Sequence, residues 1–231
     1  IALCHMLTKN GGVRSEFTVY EHAPGRFYLV SAGAYERHDH DYLRKLAPKD
    51  GSVTLNYLTT RMGVLVIAGP NSRKLLQKLT DTDLSNAAFP WLTGKAISVG
   101  PCSAHVLRVN FVGELGYEFH HPIEQQNALF DCLMDAGKEF GIKPYGIKAM
   151  GSLSIEKSYR LVPRELSIEY SAYESGLDRF VHPNKGQFIG RDALVASRAN
   201  GLNWQFVTLE VDGVTMADSD ARGSEPIYRK G

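Results

Sequence analysis

Alternating apolar and polar positions mark out short strands, interrupted by a few stretches of helical period. A short apolar start and Gly11-Gly12 lead into Glu16-Phe17-Thr18-Val19-Tyr20, which alternates as a strand does. His22-Ala23-Pro24-Gly25 reads as a turn, and Arg26-Phe27-Tyr28-Leu29-Val30 as the returning strand of a hairpin. Tyr35, His38, Tyr42 and Leu46, three and four residues apart, predict a helix over 34–46, ended by Pro48-Lys49-Asp50-Gly51. Strands are expected over 52–58 and 62–68, the second with the buried-looking run Gly63-Val64-Leu65-Val66-Ile67. Asn71 or Ser72 can then cap a helix with Leu75, Leu76 and Leu79 on one face. Two more strands, 95–99 and 104–110, precede a long helix over about 124–140. That helix turns Ala128, Leu129, Cys132, Leu133 and Ala136 inward and has Gly141 at its C′ position. A helix over about 146–159, an irregular stretch over 165–173 and a short helix within 188–199 follow. Trp204 to Val211 reads as a strand.

The helices are separated by paired strands and not by single ones. That pattern predicts an α+β fold with mainly antiparallel sheets. Residues 1–200 form one expected domain, and residues 201–231 read as the beginning of a truncated C-terminal β domain. At 231 residues the chain can bury a sizeable core, and 43% apolar with 22% charged residues is ordinary for a globular protein. The net charge of +1 argues against a dedicated nucleic-acid binder. No apolar run approaches the roughly 20 residues that cross a bilayer. Cys4, Cys102 and Cys132 are sparse and far apart, which fits buried structural thiols in a reducing compartment. The chain does not begin with Met, has no signal-peptide pattern, and is expected to be a fragment of a longer protein.

The stretch Phe111-Val112-Gly113-Glu114-Leu115-Gly116-Tyr117-Glu118-Phe119 holds the candidate chemistry. Its two glycines permit a sharp turn. If a strand resumes after Gly116, Tyr117 and Phe119 face one side and Glu118 the other. A carboxylate among aromatics can grip a flat, nitrogen-rich heterocycle, although a glycine-containing hairpin with a solvated Glu has the same spacing.

The pattern F-x-G-E-L-G-Y-E, with Ala149-Met150-Gly151-Ser152-Leu153-Ser154-Ile155-Glu156-Lys157-Ser158-Tyr159-Arg160 after the long helix, resembles the folate-binding domain of the glycine-cleavage T-protein superfamily. Asp83 to Pro90, Gly69-Pro70, Glu174 to Leu177 and Phe188 to Leu194 keep the same register, so the resemblance covers nearly the whole chain. Within the superfamily the chain is most similar to the C-terminal part of dimethylglycine and sarcosine dehydrogenases. The resemblance implies a T-protein-like folate-binding fold, followed by the start of a C-terminal β-barrel. It implies tetrahydrofolate as cofactor and a methylated amine as the second small-molecule partner, with FAD only in a missing upstream domain. Glu16 takes the place of a catalytic Asp, with Ser15 and Glu16 standing where the family has two acids. The resemblance implies that Glu118 holds the amino-pyrimidine edge of the pterin. Phe111, in place of a Tyr, stacks on it, and Tyr117 and Tyr159 complete the ligand-binding set. Met150 replaces the T-protein's Arg, which fits the dehydrogenase branch.

The implied function is capture of the iminium or formaldehyde from amine demethylation as methylene-tetrahydrofolate. A folate-dependent O- or S-demethylase and a non-catalytic folate-binding module are the alternatives. The expected location is cytoplasmic, or the mitochondrial matrix if the source is eukaryotic. No nucleic-acid or membrane partner is expected, and a homo-oligomer stays open. His38-Asp39-His40-Asp41 reads as a solvated helix face without a third metal ligand, so no metal site is assigned. His120 and His121 point to opposite sides of any strand. No G-x-G-x-x-G or phosphate loop is present.

Overall fold

The computed structural model describes residues 1–210 and 226–228. Its strands are β1 (Ala2–Leu7), β2 (Val13–Ala23), β3 (Arg26–Val30), β4 (Met62–Ala68), β5 (Gly94–Val99), β6 (Cys102–Leu107) and β7 (Gly116–Pro122). Its α-helices are α1 (Glu36–Leu46), α2 (Ser72–Gln77), α3 (Gln126–Gly137), α4 (Ile147–Glu156) and α5 (Arg191–Asn200). The strands form a three-stranded sheet, β1-β2-β3, and a four-stranded sheet, β4-β7-β6-β5. Every pairing between them is antiparallel. The fold is α+β, as the paired strands predict.

The four-stranded sheet has two different faces. Ile67, Val106, Tyr117 and Phe119 turn to one side and pack with Leu75 and Leu76 of α2 and Leu129 and Leu133 of α3. The other side meets the first sheet: the ring of Tyr20 sits over Gly94 against Leu107, and Tyr28 meets His120. A second core gathers Leu7, Val13, Val162, Leu166, Ala172, Tyr173, Leu177 and Leu194.

The turn from β1 to β2 is wedged into that second core. Gly11 has a φ of 84°, a left-handed conformation that costs glycine little. Thr8 N–H donates to Gly12 O, Val13 N–H to Ser167 O and Ala172 N–H to Gly11 O. A Cβ on Gly12 would lie 2.3 Å from the carbonyl oxygen of Ile168. The glycine pair is therefore a close-packing device that anchors the start of β2.

Several expectations differ from the structure. Residues 52–58 form no strand; Val53, Leu55 and Tyr57 are exposed, so their alternation reflects no buried face. β4 is a strand but an edge one, and Val64 and Val66 are exposed where a buried run was expected. Neither candidate caps α2: Asn71 occupies the N-cap position without a side-chain hydrogen bond, and the Ser72 hydroxyl donates to the carbonyls of Gly69 and Leu115. Ala128 and Cys4 are exposed. Asp39 is not solvated: it is buried, with His38 Nδ1 3.0 Å from Oδ1, because α1 turns that side inward. Residues 204–210 form no strand. Instead Phe206 N–H donates to Glu174 O, and the Arg160 guanidinium lies over the Phe206 ring. The rest of the expected β domain, apart from residues 226–228, lies outside the described residues.

The Gly12 contact gives a direct test. Gly12→Ala drives a methyl into backbone that cannot swing away, so it should cost about 2–4 kcal/mol and lower the thermal midpoint by roughly 10 °C. Gly151→Ala, on α4 with nothing within 4 Å, should leave the midpoint unchanged or raise it. Circular dichroism melts compare the two, and equal midpoints would remove the wedge argument.

Candidate functional site

Glu118 lies in the middle of β7, paired with Val66 of β4 and Leu107 of β6. Strand alternation turns it away from the core that holds Tyr117 and Phe119. Its side chain is 22% exposed, enough to meet a ligand. Its Oε2 lies 3.2 Å from His120 Nε2, and His120 Nδ1 lies 3.2 Å from the Tyr28 hydroxyl. Two phenols sense the carboxylate: burial, and after it the Glu118 charge, pushes up both Tyr28 and Tyr145. Glu118 thus lies within electrostatic reach of a tyrosine on β3 and of one in the segment before α4. A cleft of about 650 Å³ along the outer edge of β4 reaches the same neighbourhood through Val66 and Tyr145, and Met150 also lines it.

Glu16 projects from the face of β2 that also carries Thr18 and Tyr20, the face turned toward the four-stranded sheet. It stands four residues from Tyr20, about 13 Å along the strand. Its partner is His5, directly across on β1, with Nε2 2.9 Å from Oε2. His5 packs edge-on against Phe180. Neither Arg14 nor Lys9 pairs with Glu16; the Arg14 guanidinium lies over the Tyr42 ring. Ser15, on the opposite face, is fully buried.

Phe111 and Tyr159 come together, with ring centroids 5.8 Å apart. Ser154 of α4 donates its hydroxyl to the Phe111 carbonyl, which ties the 111–116 turn to that helix. Among the described residues, no hydrogen bond or ring contact joins this pair to Glu118 or Glu16. Tyr117 is placed differently from the ligand-lining role expected of it. It is fully buried, tilted against Phe89, and its hydroxyl accepts a hydrogen bond from Arg73 Nε. Both ring faces are covered by core, so a ligand cannot stack there.

Sequence reasoning missed His5, Tyr28, His120 as a partner of Glu118, and Tyr145. Only the His120–Glu118 spacing of two, which puts both on one strand face, was available as a signal. His105 belongs to the same inter-sheet layer. It is the cross-strand neighbour of His120, lies under Tyr20 and His22, and has a buried Nδ1 without a partner.

Burial, with lesser contributions from His22 and His120, holds His105 below its ordinary value of about 6.5. Below that pH the unfolded chain binds a proton that the native chain refuses. Stability is therefore full above about 6.5 and falls as pH drops through the lowered native value. Urea midpoints at pH 7.5 and 5.5 should fall more steeply for the wild type than for His105→Phe, which keeps the ring and removes the titration. Parallel slopes would sink this assignment.

Comparison with known proteins adds the following. Residues 1–185 match the GCVT N-terminal domain. The chain is 38% identical to human mitochondrial dimethylglycine dehydrogenase, over 99% of its own length and 26% of that protein. It is 33% identical to the aminomethyltransferase of Thermoanaerobacter sp., over 89% of its length and 55% of that enzyme. It spans only about a quarter to a half of these relatives. The solved glycine cleavage system aminomethyltransferase T from Bartonella henselae superposes with a TM-score of 0.71 at 22% identity, covering 86% of this chain and 53% of that one. It shares the fold.

Proposed function

The chain belongs to the GCVT N-terminal domain family, and from that premise we propose that it is a tetrahydrofolate-binding, one-carbon-transfer domain of a dimethylglycine or sarcosine dehydrogenase-like protein. The observation that carries the proposal is Glu118. It is a partly exposed carboxylate within electrostatic reach of Tyr28 and Tyr145, with one oxygen engaged by His120 and lone pairs left for a ligand.

These residues fit the amino-pyrimidine edge of a pterin, which presents neighbouring N–H donors to a carboxylate as a guanidinium does. Glu118 accepts from that edge, with Tyr145 beside it and Tyr28 behind it on His120. The Phe111–Tyr159 ring pair supplies a further aromatic surface beside α4. Tetrahydrofolate supplies the nitrogens that take up the one-carbon unit. Glu16, steadied by His5 on the neighbouring strand, holds negative charge where an iminium develops positive charge. Tyr117 supports Glu118 only by packing behind it. The oxidation that releases the one-carbon unit from the amine, as iminium or formaldehyde, is assigned to a flavin-bearing part beyond these residues. Delivery inside one protein keeps a hydrolysable unit from water. The division near residue 200 is part of this reading. The mitochondrial names of relatives support a matrix location if the chain is eukaryotic. No helix among the described residues is long and apolar enough to cross a membrane.

Glu118→Ala removes a charged acceptor from the ligand and should weaken tetrahydrofolate binding at least tenfold, about 1.5–3 kcal/mol. Glu16→Ala should bind nearly as the wild type does but lose acceleration of methylene-tetrahydrofolate formation from formaldehyde. Calorimetry and product analysis on the 231-residue chain read the two effects. Equal tetrahydrofolate affinity in wild type and Glu118→Ala would refute the placement of the ligand.

A further inference from the structure

We infer that Tyr28, acting through His120, sets the direction in which Glu118 presents its carboxylate. The Tyr28 O–H donates to His120 Nδ1, and His120 Nε2–H donates to Glu118 Oε2. Both are positioning residues; for its functional consequence the inference rests on the reading of Glu118 as a ligand-binding group.

The donor order follows from what each group can do. An ionised carboxylate has no proton to give, so the proton between His120 and Glu118 must come from Nε2. A neutral imidazole protonated at Nε2 keeps a lone pair on Nδ1, and the phenol 3.2 Å away is the donor that fits it. Burial, and after it the charge of Glu118, holds the Tyr28 phenol above its usual range, so it keeps its proton at neutral pH. The other tautomer would set the Nε2 lone pair against carboxylate oxygen at 3.2 Å. His120 is fully buried, so no bulk water relieves that contact.

Geometry closes the remaining freedom of the imidazole. His120 lies between Val64 and His105 across the strands, and the Tyr28 ring meets it edge-on, 5.3 Å between centroids and 85° between planes. Tyr28 and His120 are 92 residues apart and belong to different sheets. The first hairpin thus reaches across the layer to steer a group on the second sheet. Because His120 takes a single lone pair of Glu118, the carboxylate keeps others for two neighbouring N–H donors.

The test uses the 15N-labelled 231-residue chain. Long-range 1H–15N correlation of the imidazoles reads the His120 tautomer without any ligand. The wild type should show protonated Nε2 and bare Nδ1. Tyr28→Phe removes one oxygen and keeps the ring. It should spread the proton over both nitrogens and raise the tetrahydrofolate Kd roughly five- to tenfold. His120→Gln, whose amide N–H can stand in for Nε2–H, should bind within about threefold of wild type. His120→Leu should lose at least tenfold; should it fail to fold, Tyr28→Phe still decides. A wild-type Nδ1–H tautomer would overturn the inference. So would an unmoved tautomer in Tyr28→Phe, or a moved tautomer with unchanged Kd. The relay tautomer, moved by Tyr28→Phe in a chain that binds no tetrahydrofolate, would uphold the relay and overturn the folate reading.

Discussion

Strict alternation along β7 is the constraint on which both core and site depend. Tyr117 and Phe119 are fully buried on one face; Glu118 and His120 occupy the other. Burying two such aromatics contributes several kcal/mol. A register slip of one residue would bring Glu118 into that apolar layer and expose the rings. Packing against α2 and α3 therefore fixes where Glu118 points, although none of those helices touches it. β7 is also an inner strand, hydrogen-bonded to β4 and β6, so neighbours on both sides hold its register.

The elements with strong period were legible in the sequence: the first hairpin, the α3 segment with Gly141 in left-handed conformation behind it, and the opposed faces of Tyr117 and Glu118. Period failed where no partner surface exists. Val53, Leu55 and Tyr57 alternate but meet no second strand, and Val64 and Val66 are apolar but sit on an edge. Side-chain partners far apart in sequence were not legible at all. His5 and Glu16 face each other only in the register that β1 and β2 adopt, and Tyr28 reaches His120 from the other sheet. Asp39 shows the same limit: a charged residue in a polar run is buried because α1 turns that side inward, and His38 meets only one of its oxygens.

The departures from the family pattern acquire physical meaning from the two faces of β2. Ser15 turns to the buried side with Val13 and Phe17, where burying an acid carries a desolvation cost. Serine there relieves the fold of a buried charge. Glu16 turns to the inter-sheet side, the side on which the other sheet carries Glu118.

A glutamate at that position brings one more rotatable bond than an aspartate, and with it a larger entropy cost of holding one orientation. His5 offsets that cost. It stands in register across β1, is itself braced by Phe180, and holds Oε2 at 2.9 Å. Both carboxylates of the proposed site are therefore presented the same way, each gripped on Oε2 by the Nε2 of an imidazole that packs against an aromatic ring. Glu16 is gripped from the neighbouring strand and Glu118 from two residues along its own. In each the imidazole engages Oε2 alone, and each carboxylate is held by a residue outside the sequence block that first drew attention to it.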